Sequence, residues 1–191
     1  IRDFHVTGVQ TCALPICFSA GAFSGMGTEY YKSGAVKYKG GFSMGDYSGD
    51  GVEYYENGAV KYQGGFSLGQ YSGEGKLFSE SGAARYIGGF AQGLYEGEGK
   101  LYDEAGTLLY EGSFLAGLYD GGGKLYVSGT EYIAGTFTKG TLSGTAEIYR
   151  NGFLYYSGGF SGGVMSGKGV YYNVKGEVVF EGVFINGIVD P

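Results

Sequence analysis

The side chains able to do covalent or metal chemistry are few and gathered at one end. The 191-residue protein has one histidine, His5, and two cysteines, Cys12 and Cys17, all within its first 17 residues. From Phe18 onward there is neither His nor Cys. That excludes, for this stretch, zinc sites of the usual kind and Cys/His or Ser/His nucleophiles. Carboxylates remain. Glu96 and Glu98 stand two apart, Asp103 and Glu104 are adjacent, and Glu74 precedes Glu98 by 24 residues. Two carboxylates could share acid/base work if their environments pushed their pKa values apart. On consecutive, similar segments they are expected instead to form a solvated face. The run Gly73-Glu74-Gly75 is not a phosphate loop, because no Lys-Ser/Thr comes after it and no helix opens there. The 20 tyrosines could stack on ligands. A repeated core is the expectation, since a thin sheet must bury something.

Residues 1–17 share no pattern with the rest of the chain. Val6 to Ile16, "VTGVQTCALPI", resembles the in-frame translation of a sequencing adapter, and Ile1-Arg2-Asp3 resembles the bases upstream of its index. Residues 1–17 are therefore expected to be a non-native leader, with 18–191 a repeat array truncated at both ends. On that expectation the cysteines carry no information on redox compartment, and localisation stays open.

From residue 18 the chain is periodic. Phenylalanines stand at Phe18, Phe42, Phe66, Phe90, Phe114, Phe137, Phe160 and Phe184, at intervals of 24, 24, 24, 24, 23, 23 and 24 residues. Three residues after each comes a glycine: Gly21, Gly45, Gly69, Gly93, Gly117, Gly140, Gly163 and Gly187. Seven after, Gly25 to Gly167 recur, and nine after, Gly27 to Gly169, with Ala146 the exception. Twelve after, the residue is aromatic, from Tyr30 to Tyr172. Such a period marks a repeat architecture.

Tyr38, Tyr62, Tyr86, Tyr110 and Tyr156 stand four residues before their phenylalanines, with glycine between. Residues two apart share one face of a strand. Each repeat thus reads as a hairpin: a first strand ending in Phe, a loop such as "SLGQYSG", and a second strand such as "GEGKLF". The link to the next hairpin carries Asn57-Gly58, Asn151-Gly152, Ser33-Gly34, Ser81-Gly82, Ala105-Gly106, Ser128-Gly129 or Lys175-Gly176. Asn-Gly is the strongest signal for a two-residue type I′ turn, so the primed turns are expected there. A glycine in a strand costs roughly 0.5–1 kcal/mol. A Tyr or Phe laid across the bare backbone buries about 150–250 Å², which offsets that cost several-fold.

The pattern Y-x-G-G-F-x-x-G-x-x-x-G-x-G-x-x-Y resembles the MORN repeat, in seven to eight copies from Phe18 to about Asp190. The resemblance implies an all-β fold: an elongated single-layer antiparallel sheet of repeated β-hairpins. Its structural core would be Phe42, Phe66, Phe90, Phe114, Phe137 and Phe160 with Tyr38, Tyr62, Tyr86, Tyr110 and Tyr156. Its structural glycines would be Gly45, Gly69, Gly93, Gly117, Gly140 and Gly163. Repeats five and six are each one residue short, and Ile133 and Ala146 replace Tyr and Gly, so a local irregularity is expected there.

No catalytic, cofactor or metal site is expected. A non-catalytic scaffold or spacer that engages a protein partner is the first functional expectation. Membrane-surface attachment, which the resemblance also implies, is disfavoured by a net charge of −6. An accessory array on a larger protein with a missing catalytic domain is the third. Nucleic acid is an unsuitable partner for an acidic chain without a basic patch.

Overall fold

The computed structural model describes residues 17–19 and 22–190. Residues 1–16, with His5 and Cys12, lie outside the described residues, as do Gly21 and Pro191. The first eight strands are β1 (Cys17–Ser19), β2 (Ala22–Tyr30), β3 (Val36–Ser43), β4 (Asp46–Tyr54), β5 (Val60–Ser67), β6 (Gln70–Phe78), β7 (Ala84–Ala91) and β8 (Leu94–Tyr102). The next eight are β9 (Leu108–Leu115), β10 (Leu118–Ser128), β11 (Glu131–Thr138), β12 (Thr141–Arg150), β13 (Phe153–Ser161), β14 (Val164–Tyr172), β15 (Val178–Ile185) and β16 (Ile188–Val189). Among the described residues all sixteen form one antiparallel sheet in sequence order, without a helix. Among the described residues the first strand starts at Cys17, which pairs with Ser24.

One face carries the core. Tyr62 and Phe66 are buried, and so are their equivalents Tyr38, Tyr86, Tyr110 and Tyr156 and Phe42, Phe90, Phe114, Phe137, Phe160 and Phe184. Tyr62 stacks on Tyr71 of the next strand at 3.8 Å and 11°. Phe66 and Phe90 stand edge-on to Tyr62 at 5.1 and 5.2 Å. The same motif recurs at Tyr38/Tyr47, Tyr86/Tyr95 and Tyr110/Tyr119. Stacked and edge-on pairs satisfy the ring quadrupoles and add roughly 0.5–1.5 kcal/mol each beyond area burial. A single sheet thereby makes a core from its own side chains, each rung closed by the next.

The ladder dictates the glycines beneath it. The Tyr86 hydroxyl donates to the Gly89 carbonyl at 3.1 Å, which lays the ring across β7 and β8. A Cβ on Gly99 would stand 2.6 Å from Tyr86 Cζ. Gly99 pairs with Gly88, whose own Cβ would meet the Glu98 carbonyl at 2.5 Å.

With one exception the primed turns are not where the sequence expectation put them. Both residues have positive φ at Leu68-Gly69 (50° and 76°) and at Met44-Gly45, Gln92-Gly93, Ala116-Gly117, Lys139-Gly140, Gly162-Gly163 and Asn186-Gly187. These sit directly after the phenylalanine strand. The loop expected over "SLGQYSG" therefore shrinks to Leu68-Gly69, because β6 already starts at Gln70. Tyr71 belongs to that strand and stacks in the core. The left-handed Gly73 (φ 70°) sits where the β5–β6 register shifts between Gly64/Gly75 and Phe66/Tyr71.

At Asn57-Gly58 only the glycine has positive φ. Gly58 N donates to Tyr55 O, Tyr55 N donates to Ala59 O, and the Asn57 carboxamide oxygen accepts from Ala59 N. This is the three-residue loop with a left-handed glycine, which the same Asn-Gly dipeptide also serves. Ser33-Gly34, Ser81-Gly82, Ala105-Gly106 and Lys175-Gly176 likewise place only the glycine at positive φ. Asn151-Gly152 alone among the expected sites is primed, at 53° and 81°.

The irregularity falls at repeats five and six. The links Ser128–Glu131 and Arg150–Phe153 have two residues between the paired strand ends, which accounts for the missing residue in each repeat. In the rung of Phe137, Ile133 and Leu142 occupy the positions held by two stacked tyrosines in the rungs of Phe42, Phe66, Phe90 and Phe114, and Ala146 holds the glycine position. Leu142 and Ala146 are buried. Without a ring overhead, the methyl group fills the space.

Candidate functional site

The face opposite the ladder is open. Strand residues alternate, so each glycine of the rung is flanked on this face by its neighbours in sequence. A groove runs over the paired glycines, such as Gly64/Gly75, Gly88/Gly99 and Gly112/Gly123. It consists of two hollows of about 640 and 770 Å³ that share Glu74 and Ile87. Together they reach from Met26 in β2 to Gly135 in β11. At about 4.8 Å per strand, that is roughly 43 Å.

The walls differ in charge. Asp50, Glu74 and Glu98 each precede the groove glycine of β4, β6 and β8, and all three are exposed. Between them come the small residues Gly65, Gly89 and Ser113 as their cross-strand partners. On the other wall Lys76, Lys100 and Lys124 come directly after the glycines Gly75, Gly99 and Gly123, with Lys39 at the start of the groove. Glu111 interrupts this wall. Its carboxylate accepts from the Tyr126 hydroxyl at 2.8 Å and pairs with Lys100 at 3.2 Å and Lys124 at 3.6 Å. The Tyr126 hydrogen bond, aided by both lysines, holds the Glu111 carboxyl below the ordinary carboxylate range.

Glu74 and Glu98 come together along one wall, two strands apart, as the sequence suggested. Glu98 accepts from the Ser113 hydroxyl, whereas Glu96 accepts from the Ala116 amide at a turn. Asp103 serves another link: its carboxylate accepts from the Ala105 and Thr107 amides. Backbone donation of this kind, from Thr107 first, lowers its pKa. Among the described residues no hydrogen bond joins Glu96 to Glu98 or Asp103 to Glu104 into an acid/base dyad. Among the described residues no group of three His, Cys, Asp or Glu could hold a metal ion.

The tyrosines of the ladder are closed to ligands from this face. Burial pushes the Tyr62 and Tyr110 phenols up to about 12, with Asp50 and Glu74 adding to the rise at Tyr62 and Glu98 at Tyr110. The glycines Gly45, Gly69, Gly93, Gly117, Gly140 and Gly163 lie in turns at the sheet's rim, each with φ between 76° and 86°. None lines the groove.

The lysine wall and Asp50 were missed by sequence reasoning, which saw no basic patch. The signal was present: "GEGKLF", "GEGKLY" and "GGGKLY" place Lys76, Lys100 and Lys124 at one phase of the 24-residue period.

A family model described as MORN repeat matches residues 17–36, 38–60, 62–83, 86–107, 110–131 and 156–178. The chain belongs to the MORN repeat family. The unmatched stretch between the fifth and sixth copies holds Ile133, Leu142 and Ala146, the rung that lost its tyrosine pair and its glycine. The sequence period counts this stretch and the final strands as further copies, and the MORN sheet continues through both without a break. No curated protein matches the chain. Membership supports a repeat scaffold, a role in which MORN arrays bind proteins or membranes.

Proposed function

We propose that this MORN array is a non-catalytic scaffold that binds a protein partner along the groove opposite the aromatic ladder. The observation that carries this reading is the groove itself: an open trough over ten strands, floored by backbone and walled by segregated charge. A surface of that length, built from repeats and lacking an acid/base dyad, suits an extended contact better than turnover. The membrane reading has less support. Three carboxylates and Glu111 stand in the groove, and the whole chain is acidic. Anionic lipid attracts Lys/Arg clusters, at about 1 kcal/mol per residue.

The test is peptide display on the immobilised protein, with the double reversal Glu74→Lys/Glu98→Lys as counter-selection. Enriched peptides that lose binding to the reversed protein, at an unchanged melting temperature, are the expected result. Two outcomes would overturn the reading. One is a library that yields no groove-dependent binder. The other is salt-sensitive co-sedimentation with phosphatidylserine vesicles but not phosphatidylcholine vesicles.

A further inference from the structure

The groove repeats with the array, and its period selects the shape of what lies in it. Successive carboxylates, Asp50 to Glu74 to Glu98, are two strands apart. At about 4.8 Å per strand their spacing is roughly 9.6 Å. A polyproline II helix has three residues per turn and rises about 3.1 Å per residue, so one turn covers about 9.3 Å. Every third side chain of such a peptide, laid along the groove, would meet the next carboxylate. An α-helix fits less well. Its diameter with side chains is about 10–12 Å. The acidic and basic rows lie two residues apart on each strand, about 6.7 Å.

Charge narrows the occupant further. Asp50 and Glu74 make no ion pair among the described residues, and Glu98 takes only the Ser113 hydroxyl. The opposite wall is cationic at Lys76, and at Lys100 and Lys124 it shares the single counter-charge of Glu111. The charges of the two walls are therefore separated across the trough. Resting on the protein-scaffold reading above, we infer that the groove takes an extended, proline-containing peptide with period-three charge. One face of that peptide carries Lys or Arg toward Asp50, Glu74 and Glu98. A second face carries Glu or Asp toward the lysine wall, and the third faces away. Charge complementarity of this kind sets register and specificity.

Fluorescence anisotropy on the full chain tests the inference with three labelled peptides of identical composition and zero net charge. The first is four copies of the tripeptide Lys-Pro-Glu, and the second is four copies of Lys-Glu-Pro. The third is a block peptide, with four lysines, then four prolines, then four glutamates. For a given chain direction the two period-three orders place the acidic face on opposite sides of the basic one, so each order fits the groove in one of the two directions. The better-bound order is expected to bind at least about tenfold tighter than the block peptide, or about 1.4 kcal/mol. The same preference should vanish in Glu74→Lys/Glu98→Lys at an unchanged melting temperature. Equal binding of all three peptides, or a preference that survives the reversal, would overturn it. If display yields groove-dependent peptides without period-three charge, this inference fails and the scaffold reading stands. If neither display nor the designed peptides bind, both fail.

Discussion

The contact between Tyr86 and Gly99 gives the sharpest test of how the array is held. Substituting Gly99→Ala puts a methyl carbon 2.6 Å from Tyr86 Cζ and 2.7 Å from Cε2, so the ring must move. Overpacking a tight core costs about 1–3 kcal/mol. Moving the ring also strains the hydroxyl bond to the Gly89 carbonyl, about 1 kcal/mol. The stack on Tyr95, at 3.8 Å and 10°, adds about 0.5–1.5 kcal/mol. We expect a loss of about 3–5 kcal/mol, the upper part of these terms together. Tyr86→Ile alone should cost about 2–4 kcal/mol, as a buried large-to-small change. The array itself shows the combination at Ile133 and Ala146, where ring and glycine are both gone. The double variant Tyr86→Ile/Gly99→Ala should therefore lie close to Tyr86→Ile alone, with a coupling of at least about 2 kcal/mol. Urea unfolding of the wild type and three variants measures it. Additivity within about 0.5 kcal/mol would show that the ring is not what forbids the methyl group, and the reasoning would fail.

Other outcomes rest on the same geometry. Phe90→Ala should cost about 3–5 kcal/mol. It should cost clearly more than Phe184→Ala, because Phe90 meets four tyrosine rings at 5.0–5.7 Å and Phe184 meets Tyr156, Tyr171 and Phe180 at 5.8–6.0 Å. Equal losses in urea would contradict a rung-by-rung core. Lys100→Ala should cost under about 0.5 kcal/mol in the same assay, since its side chain is half exposed and its ion pair with Glu111 is near the surface. The buried phenols set an alkaline limit. Tyr62 and Tyr110 titrate near 12 in the folded state against 10 when unfolded. Between those values the unfolded chain loses protons that the fold retains, so stability is full below pH 10 and falls as pH rises toward 12. Tyrosinate absorbance that completes its rise near pH 10 with the sheet intact would refute this. A chain starting at Cys17 should melt at the temperature of the full chain, and a clear drop would give residues 1–16 a structural role.

The period, the all-β fold and the identity of the core face were legible because they rest on residue type at fixed phase. Tyr and Phe are large, glycine is bare, and a two-residue step keeps them on one side. The turns were less legible. Asn57-Gly58 satisfies both a two-residue primed turn and a three-residue loop with a left-handed glycine, and the dipeptide does not say which. What decides is the length between paired strand ends, a property of the whole hairpin. The primed turns went to Leu68-Gly69 and its equivalents, where a non-glycine residue carries φ near 50°. Leucine, methionine and glutamine advertise no such conformation, and at those sites the strand pairing imposes it. The groove was half legible. Its acids were seen singly, while its two walls appear only once β4 to β10 are laid side by side.

One set of glycines links the two faces of this sheet. On the ladder side Gly75, Gly99 and Gly123 leave room for Tyr62, Tyr86 and Tyr110, whose rings would otherwise collide with a Cβ. On the far side the same bare backbone is the groove floor. The groove's depth is thus a consequence of how the core packs. Its chemistry is free to vary, because the flanking positions point to solvent and carry no ring. This separates two kinds of substitution. Changes at Glu74, Glu98, Lys76 or Lys100 alter what the trough attracts while leaving the ladder intact. Changes at the glycines alter the ladder first and the trough only through it. The rung of Ile133, Leu142 and Ala146 shows the second kind already made. Ala134 and Gly135 of that rung line the far end of the groove, beyond the last lysine. There the floor loses its glycine pair, since Gly135 now faces the Ala146 methyl group. The tyrosine-clasped part of the ladder thereby sets the length of the charged trough.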